Sequence, residues 1–92
     1  MIDLIHCPPK FALGRLLATP GVLALGLNLT PYLNRHVRGD WGDVDAEDWK
    51  SNDASIEDGS RIISAYQTAA GRIWIITEAD RAVTTVLLPR EY

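Results

Sequence analysis

The sequence is poor in cysteine and has no long hydrophobic run. Cys7 is the single cysteine among 92 residues, so no disulfide can form within the chain and no cysteine and histidine set exists for a structural zinc. The longest apolar run, residues 22–27, is far shorter than the ~20 residues that span a bilayer. The first residues also lack the basic stretch and cleavage site of a signal peptide. We therefore expect a cytoplasmic protein with no membrane segment, metal or cofactor.

What the sequence does contain is the composition of a folded chain. Hydrophobic residues make up 47% and charged residues 23%, both close to the averages for globular proteins. A chain of this length builds one hydrophobic core and no more. We predict a single α+β domain over residues 1–92, with an irregular lead-in at 1–10, a mainly helical part at 11–59 and an antiparallel sheet at 60–92.

Two Thr-Pro pairs mark helix starts in the first half of the chain. Residues 19–20 and 30–31 each place a threonine, a common N-cap, before a proline, which suits the first helical position. They predict short helices over residues 20–27 and 31–38. The preceding segment, 11–19, fits either a strand or a short helix, and the strand is the preferred interpretation.

A third helix is predicted between Asp45 and Gly59. The Asp45 side chain can cap its first turn, and Gly59 suits the position just after its end. Ala46, Trp49 and Ile56 fall on one face of this helix, at spacings of three and seven residues. We expect that apolar face to pack on the rest of the domain.

The last third of the chain has the pattern of β-strands. Segments 61–67, 72–78 and 82–88 are rich in β-branched and aromatic residues and are separated by short turns. This spacing predicts a three- to four-stranded antiparallel meander on which the short helices pack. The middle segment is apolar on both faces, so its second face needs the N-terminal segment, a partner chain or a ligand to cover it. A homodimer is one such arrangement.

Negative charge is concentrated in residues 40–58. This segment has eight acidic residues and one base, a net charge of −7, although the whole chain carries only −3. One interpretation is an acidic surface for a basic partner protein, such as one that binds nucleic acid. The other is that the acids cap and solvate a helix. Trp41 is either a plug for the small core or a binding anchor. The residues predicted for the interaction are Asp40, Trp41, Asp43, Asp48, Asp53 and Glu57.

A second set of polar residues indicates a catalytic alternative. His36 can take and give a proton near neutral pH, although a histidine in the last turn of a helix also suits the helix dipole. Together with strand residues it would resemble a metal-independent ribonuclease, in which a base takes the 2′-hydroxyl proton and arginine holds the phosphate. The residues predicted for this alternative are His36, Arg61, Tyr66, Thr84 and Thr85.

Several short motifs resemble those of a known protein family. Among them are Arg35-His36-x-x-Gly39-Asp40-Trp41-Gly42-Asp43, Ser64-Ala65-Tyr66 and Ala79-Asp80-Arg81. From residue 11 onwards the chain resembles a family of small bacterial plasmid-related proteins carried on mobile elements. The resemblance implies a bacterial, cytoplasmic accessory protein and no particular activity. At the level of fold alone, helices followed by an antiparallel meander are similar to barnase-like and RelE-like ribonuclease toxins.

Two functions remain as predictions. The first is a non-catalytic protein interaction through the acidic surface of residues 40–58, with counter-defence as one role. The alternative is a small ribonuclease that acts on RNA through His36 and the strand residues. The acidic balance favours the first, because positive charge is needed to attract the phosphates of RNA.

Overall fold

A computed structural model describes residues 9–92 of the protein. Within them, helices precede a group of strands, and one further strand precedes the helices. The elements are β1 (Arg15–Ala18), α1 (Pro20–Leu23), α2 (Thr30–Val37), α3 (Ala46–Asp58), β2 (Ile62–Thr68), β3 (Gly71–Thr77), β4 (Val83–Leu87) and a final 3-10 turn (Pro89–Glu91). The α+β class is confirmed. Cys7 and most of the predicted lead-in lie outside the described residues. No helix in the described part of the chain has the length and apolarity to cross a membrane.

Side-chain caps set the starts of α1 and α3 as predicted, although α1 ends at Leu23 and not at the predicted residue 27. Thr19 Oγ1 accepts a hydrogen bond from the Val22 N–H at 3.3 Å, and Asp45 Oδ1 accepts one from the Asp48 N–H at 2.8 Å. Gly59 follows α3 in the left-handed conformation, with φ of 80°. The local chemistry of these residues therefore determines where both helices begin and where α3 ends.

The second Thr-Pro pair behaves differently. Thr30 is the first residue of α2 rather than its cap, and Leu29 at the cap position makes no side-chain hydrogen bond. The Thr30 N–H is instead bound by Asn28 Oδ1 at 3.1 Å. The prediction of Thr30 as an N-cap was therefore wrong, because Asn28 supplies the side-chain acceptor two residues earlier.

The sheet is mixed rather than wholly antiparallel. Its strand order is β1-β4-β3-β2, and the two hairpins β2–β3 and β3–β4 form the predicted meander. However, β1 runs parallel to β4, with Arg15 opposite Val83 and Ala18 opposite Val86. The prediction of an antiparallel sheet was wrong for this edge strand. The long helical connection after β1 allows it to lie beside the last strand in the same direction.

The β3–β4 turn has an arginine where a glycine is common. Arg81 adopts a φ of 59°, and its N–H donates to the Glu78 carbonyl at 2.9 Å. Its guanidinium donates to the carbonyl oxygens of Ser60 and Ser55, both at 2.6 Å. The Glu78 carboxylate pairs with Arg61 at 3.4 Å instead of with Arg81. Arg81 thus joins this turn to the C-terminal end of α3.

One face of the sheet forms the hydrophobic core beneath α1 and α2. Its buried members are Val22, Tyr66, Ile73, Ile75, Val86 and Leu88. In contrast, the buried residues of α3 are polar, Asn52 and Ser55, and Ala46 is exposed. The predicted apolar packing face was wrong for Ala46, whereas its other two members, Trp49 and Ile56, are half-buried. The fully buried positions of α3 are polar because this helix packs against the edge of the sheet, where backbone groups need polar partners.

Polar contacts close much of the outer edge of β2. The Ala65 N–H donates to the Trp41 carbonyl at 3.1 Å, and the Asp43 N–H donates to the Ala65 carbonyl at 2.7 Å. The Asn52 amide donates to the Ile63 carbonyl at 2.7 Å and accepts from the Ile63 N–H at 3.2 Å. An open edge would leave these backbone groups unpaired. The contacts also fix α3 beside the second face of the sheet.

Candidate functional site

His36 lies at the centre of a buried polar network. It is 0% exposed, its Nδ1 contacts the Ser64 hydroxyl, and its Nε2 lies 2.9 Å from Thr77 Oγ1. Thr77 Oγ1 lies 2.8 Å from Thr84 Oγ1, which donates to the Leu13 carbonyl at 2.7 Å. The network therefore connects α2, three strands and the segment before β1.

The Leu13 carbonyl sets the direction of this chain of hydrogen bonds, because a carbonyl only accepts. Thr84 donates its proton to Leu13 and so accepts from Thr77. Thr77 in turn accepts from the Nε2–H of His36, which leaves Nδ1 to accept from Ser64. The geometry therefore places a proton on Nε2, and a neutral imidazole would accept from Ser64 at Nδ1.

Burial lowers the pKa of His36 from its ordinary value of 6.5 to about 3, with a smaller contribution from the positive charge of Arg81. Two rings enclose the imidazole, with centroid distances of 5.2 Å to Phe11 and 5.8 Å to Trp41. A general base must come within hydrogen-bond reach of the proton that it removes. Enclosed in this way, His36 is not placed to meet a substrate, and its role in the structure is to join elements of the core.

The other residues of the catalytic alternative do not converge with His36 in one cleft. Thr84 shares its network and is 0% exposed. Tyr66 is buried in the core, where its hydroxyl donates to a backbone carbonyl at 2.6 Å. Thr85 follows Thr84 on β4 and so faces the opposite side of the sheet. Arg61 is exposed and lines a groove on that opposite side.

Trp41 is a plug in the core. It is 0% exposed, its ring stacks on Phe11 at 6.0 Å, and its Nε1–H donates to Asp53 Oδ1 at 2.9 Å. This burial contradicts the prediction of Trp41 as a contact residue, because a side chain with no exposed surface cannot contact a partner protein. Asp53 is exposed, and its Oδ1 holds the indole.

A groove lies between α3 and the second face of the sheet, and we call it the α3 groove. Its volume of about 560 Å³ is within the ~300–1,000 Å³ of typical ligand sites. Ile63, Ala65 and Trp74 form its floor, and the start of α3 forms one wall. On the rim, the Tyr92 ring meets the Trp74 ring edge-on at 5.3 Å. This face is therefore apolar at its base and charged at its walls.

The charges of the α3 groove are only partly paired. Arg72 donates to the Asp43 carbonyl at 2.9 Å and lies 3.8 Å from the Asp43 carboxylate. Arg61 pairs with Glu78, the residue after β3. Asp45 and Asp48 take part in no ion pair among residues 9–92. One wall of the groove therefore carries two carboxylates whose charge is not neutralised by a neighbouring base.

Asp40 serves the fold rather than a surface. It pairs with Arg35 at 2.7 Å and accepts a hydrogen bond from the Gly42 N–H, and the bond from Arg35 lowers the pKa of its carboxyl. Glu57 is exposed on α3. Four of the predicted interaction residues are exposed, namely Asp43, Asp48, Asp53 and Glu57, whereas Asp40 is half-buried and Trp41 is buried. Asp40, Trp41 and Asp53 also make contacts that hold the fold.

Trp74 and Tyr92 are residues of the α3 groove that the sequence analysis did not single out. Alternation along β3 places Trp74 on the face opposite Ile73 and Ile75, which was the available signal for Trp74. The path of the chain after β4 brings Tyr92 to the groove, and no local sequence pattern predicts that path. Asp45 was predicted as a helix cap and not as part of a site.

Comparison with protein-family models, with curated proteins and with solved structures gave no match. In residues 9–92, no group of three or more His, Cys, Asp or Glu side chains is arranged to hold a metal ion. The function is therefore inferred from the geometry of the α3 groove and the acidic surface beside it.

Proposed function

We propose that this chain is a small non-catalytic protein that binds a partner protein through the acidic surface of α3 and the loop before it. The observation that carries the proposal is the exposure of Asp45, Asp48 and Glu57, which form no ion pair among the described residues. A surface of one sign attracts a partner of the opposite sign and speeds association.

The partner of this chemistry is a protein with a basic segment, such as one that binds nucleic acid. The resemblance to plasmid-related bacterial proteins supports a role in a mobile element, and interference with a host defence protein is one such role. Because opposite charges are screened by salt, binding to this surface should weaken as ionic strength rises.

The ribonuclease alternative has less support. Its proposed base, His36, is fully buried and neutral, and the carboxylates of the α3 groove repel the phosphates of RNA. The alternative predicts RNA cleavage by the purified protein that is lost in His36→Ala. Cleavage that depends on His36 would require an open conformation and would replace the present proposal.

Charge reversal on α3 tests the proposal. Proteins captured from a bacterial lysate are identified, and the purified candidate is then titrated calorimetrically with the wild type and with the double variant Asp48→Lys, Glu57→Lys. We expect the double variant to lose binding and to keep the circular dichroism spectrum of the wild type. Asp53 is left unchanged because it accepts the hydrogen bond from Trp41.

A matched control removes one carboxylate elsewhere. Asp80→Asn removes one negative charge, as Asp48→Asn does. In the wild type Asp80 Oδ1 accepts a hydrogen bond from the Ala82 N–H at 2.9 Å, and the amide oxygen of asparagine can still accept it. Binding should weaken in Asp48→Asn and stay unchanged in Asp80→Asn. Equal affinities of the wild type and the double charge-reversal variant at low salt would refute the proposal.

Self-association through the second face of the sheet stays a prediction, and the structure adds the exposed edge strand β1 as another surface for it. Leu16 and Leu17 on the edge strand β1 are 51% and 40% exposed, and exposed apolar edges of this kind favour pairing with another chain. A light-scattering mass measured at several protein concentrations distinguishes a monomer from a dimer.

A further inference from the structure

We propose that the α3 groove binds an arginine side chain of the partner protein. This inference rests on the proposed function, because it names the chemical group by which the acidic surface holds its partner. Three features carry it: an indole on the floor, carboxylates without a basic partner on one wall, and a contact between a guanidinium and an aromatic ring that the groove already contains.

The floor suits the long apolar stem of arginine and its planar head. Trp74 is half-buried between the strands, and Ile63 and Ala65 lie beside it on the same face. An indole is the aromatic group that attracts a cation most strongly. The methylene groups of an arginine can cover the aliphatic floor while the charged end remains at the wall.

The wall provides acceptors for the guanidinium. Asp45 uses Oδ1 to cap α3, so its Oδ2 remains available, and the Asp48 carboxylate accepts no hydrogen bond from residues 9–92. Arg61 and Arg72 also line the groove, but they are paired with Glu78 and Asp43. The N-terminus of α3 adds a partial positive charge of ~0.5, which the carboxylates of Asp45 and Asp48 outweigh. A planar guanidinium offers paired N–H donors that match a carboxylate, whereas an ammonium acts as a point charge.

The chain itself already places a guanidinium on an aromatic ring at this site. Arg61 lies 5.6 Å from the centroid of the Tyr92 ring and donates to its hydroxyl at 2.9 Å. Tyr92 is 64% exposed, so its ring offers further surface at the rim. The groove volume of about 560 Å³ also leaves room for residues that flank an arginine, which favours a polypeptide over a free amino acid.

The test is an NMR titration of the ¹⁵N-labelled protein with the peptide acetyl-Gly-Leu-Arg-Leu-Gly-amide into the millimolar range. The indole N–H resonance of Trp74 should shift, whereas those of Trp41 and Trp49 should not. Matched peptides carry lysine or citrulline in place of arginine. Citrulline keeps the planar shape without the charge, so its peptide should bind about tenfold more weakly.

Paired variants locate the contact. Asp48→Asn should weaken binding of the arginine peptide by about fivefold, as expected for an exposed charge pair. Asp80→Asn removes the same charge from the β3–β4 turn, outside the groove, and should leave the peptide affinity unchanged. Trp74→Leu keeps an apolar floor without the ring and should reduce the preference for arginine over lysine.

Each outcome bears on the proposal. No shift of the Trp74 indole, or an equal shift with the citrulline peptide, would overturn the arginine site. If charge reversal on α3 still abolished partner binding, the proposed function would stand without it. Tighter binding of agmatine than of the peptide would identify a small-molecule site and contradict a polypeptide occupant. An indole shift that followed protein concentration alone would place a second copy in the groove and contradict it too.

Discussion

Protonation of His36 is the perturbation that tests the buried network most directly. In the folded protein both ring nitrogens are bound, the side chain is 0% exposed, and burial together with Arg81 lowers its pKa to about 3. In the unfolded chain the same side chain returns to its ordinary pKa of 6.5. Between these two values the unfolded state binds one proton more than the folded state.

The sign and size of the effect follow from this difference. Because the unfolded state takes up the proton, the free energy of unfolding falls as pH decreases below 6.5 and continues to fall until the folded pKa of about 3 is reached. The loss approaches ~1.4 kcal/mol per pH unit, so it amounts to about 2 kcal/mol between pH 7 and pH 5. Carboxyl groups such as Asp40, whose pKa is lowered, titrate mainly below this range.

The assay compares urea unfolding of the wild type and His36→Gln at pH 7 and pH 5. Glutamine is uncharged in both conditions and retains a donor and an acceptor. The variant should be less stable at both pH values, yet it should lack the loss of about 2 kcal/mol on acidification. The second histidine, His6, is present in both proteins, so its contribution cancels.

A direct measurement covers the case in which the variant does not fold. The ring resonances of His36 in the wild type should show a neutral imidazole with its proton on Nε2 throughout this pH range. A folded-state midpoint above pH 5, or the same pH dependence of stability in both proteins, would refute the assignment of a buried neutral histidine.

Three substitutions test the contacts that hold the sheet and its neighbours. Asn52→Ala leaves the backbone groups of Ile63 unpaired and should lower the free energy of unfolding by about 1–3 kcal/mol in urea titrations. Gly42→Ala should prevent folding or lower the melting temperature more than Gly26→Ala does. Both glycines have positive φ, but of the two only Gly42 would place a Cβ against a backbone carbonyl, that of Ala65. Arg81→Lys should cost about 1–3 kcal/mol, since an ammonium cannot span the two carbonyls that the guanidinium joins; equal stability would contradict this role.

Cap chemistry and strand propensity were readable from the sequence because they are local. Thr19, Asp45 and Gly59 act within a few residues of the helix ends that they define, and their roles were predicted correctly. The three C-terminal strands were located to within one or two residues of their bounds for the same reason. In contrast, the parallel pairing of β1 with β4 joins distant parts of the chain, and no local residue pattern specifies it.

The buried network shows where prediction from sequence ends. Strand alternation places Ser64 on the core face, and Thr77 and Thr84 face the same side. Which helical residue meets them depends on how α2 lies on the sheet, and this follows from packing over the whole core. A histidine in the last turn of a helix was therefore compatible with both a catalytic and a structural role until its neighbours were known.

The division of the acidic residues changes what the net charge of residues 40–58 means. Asp40 and Asp53 are bound by Arg35 and the Trp41 indole, so their carboxylates hold the segment before α3 in place. The free negative charge of the segment is smaller than its count of −7 indicates, and it is concentrated on α3. Neutralising the bound acids weakens contacts that hold this segment, whereas the Asp48 carboxylate makes no ion pair within residues 9–92 that neutralisation would remove. A loss of binding therefore identifies a contact only when it comes from the free acids.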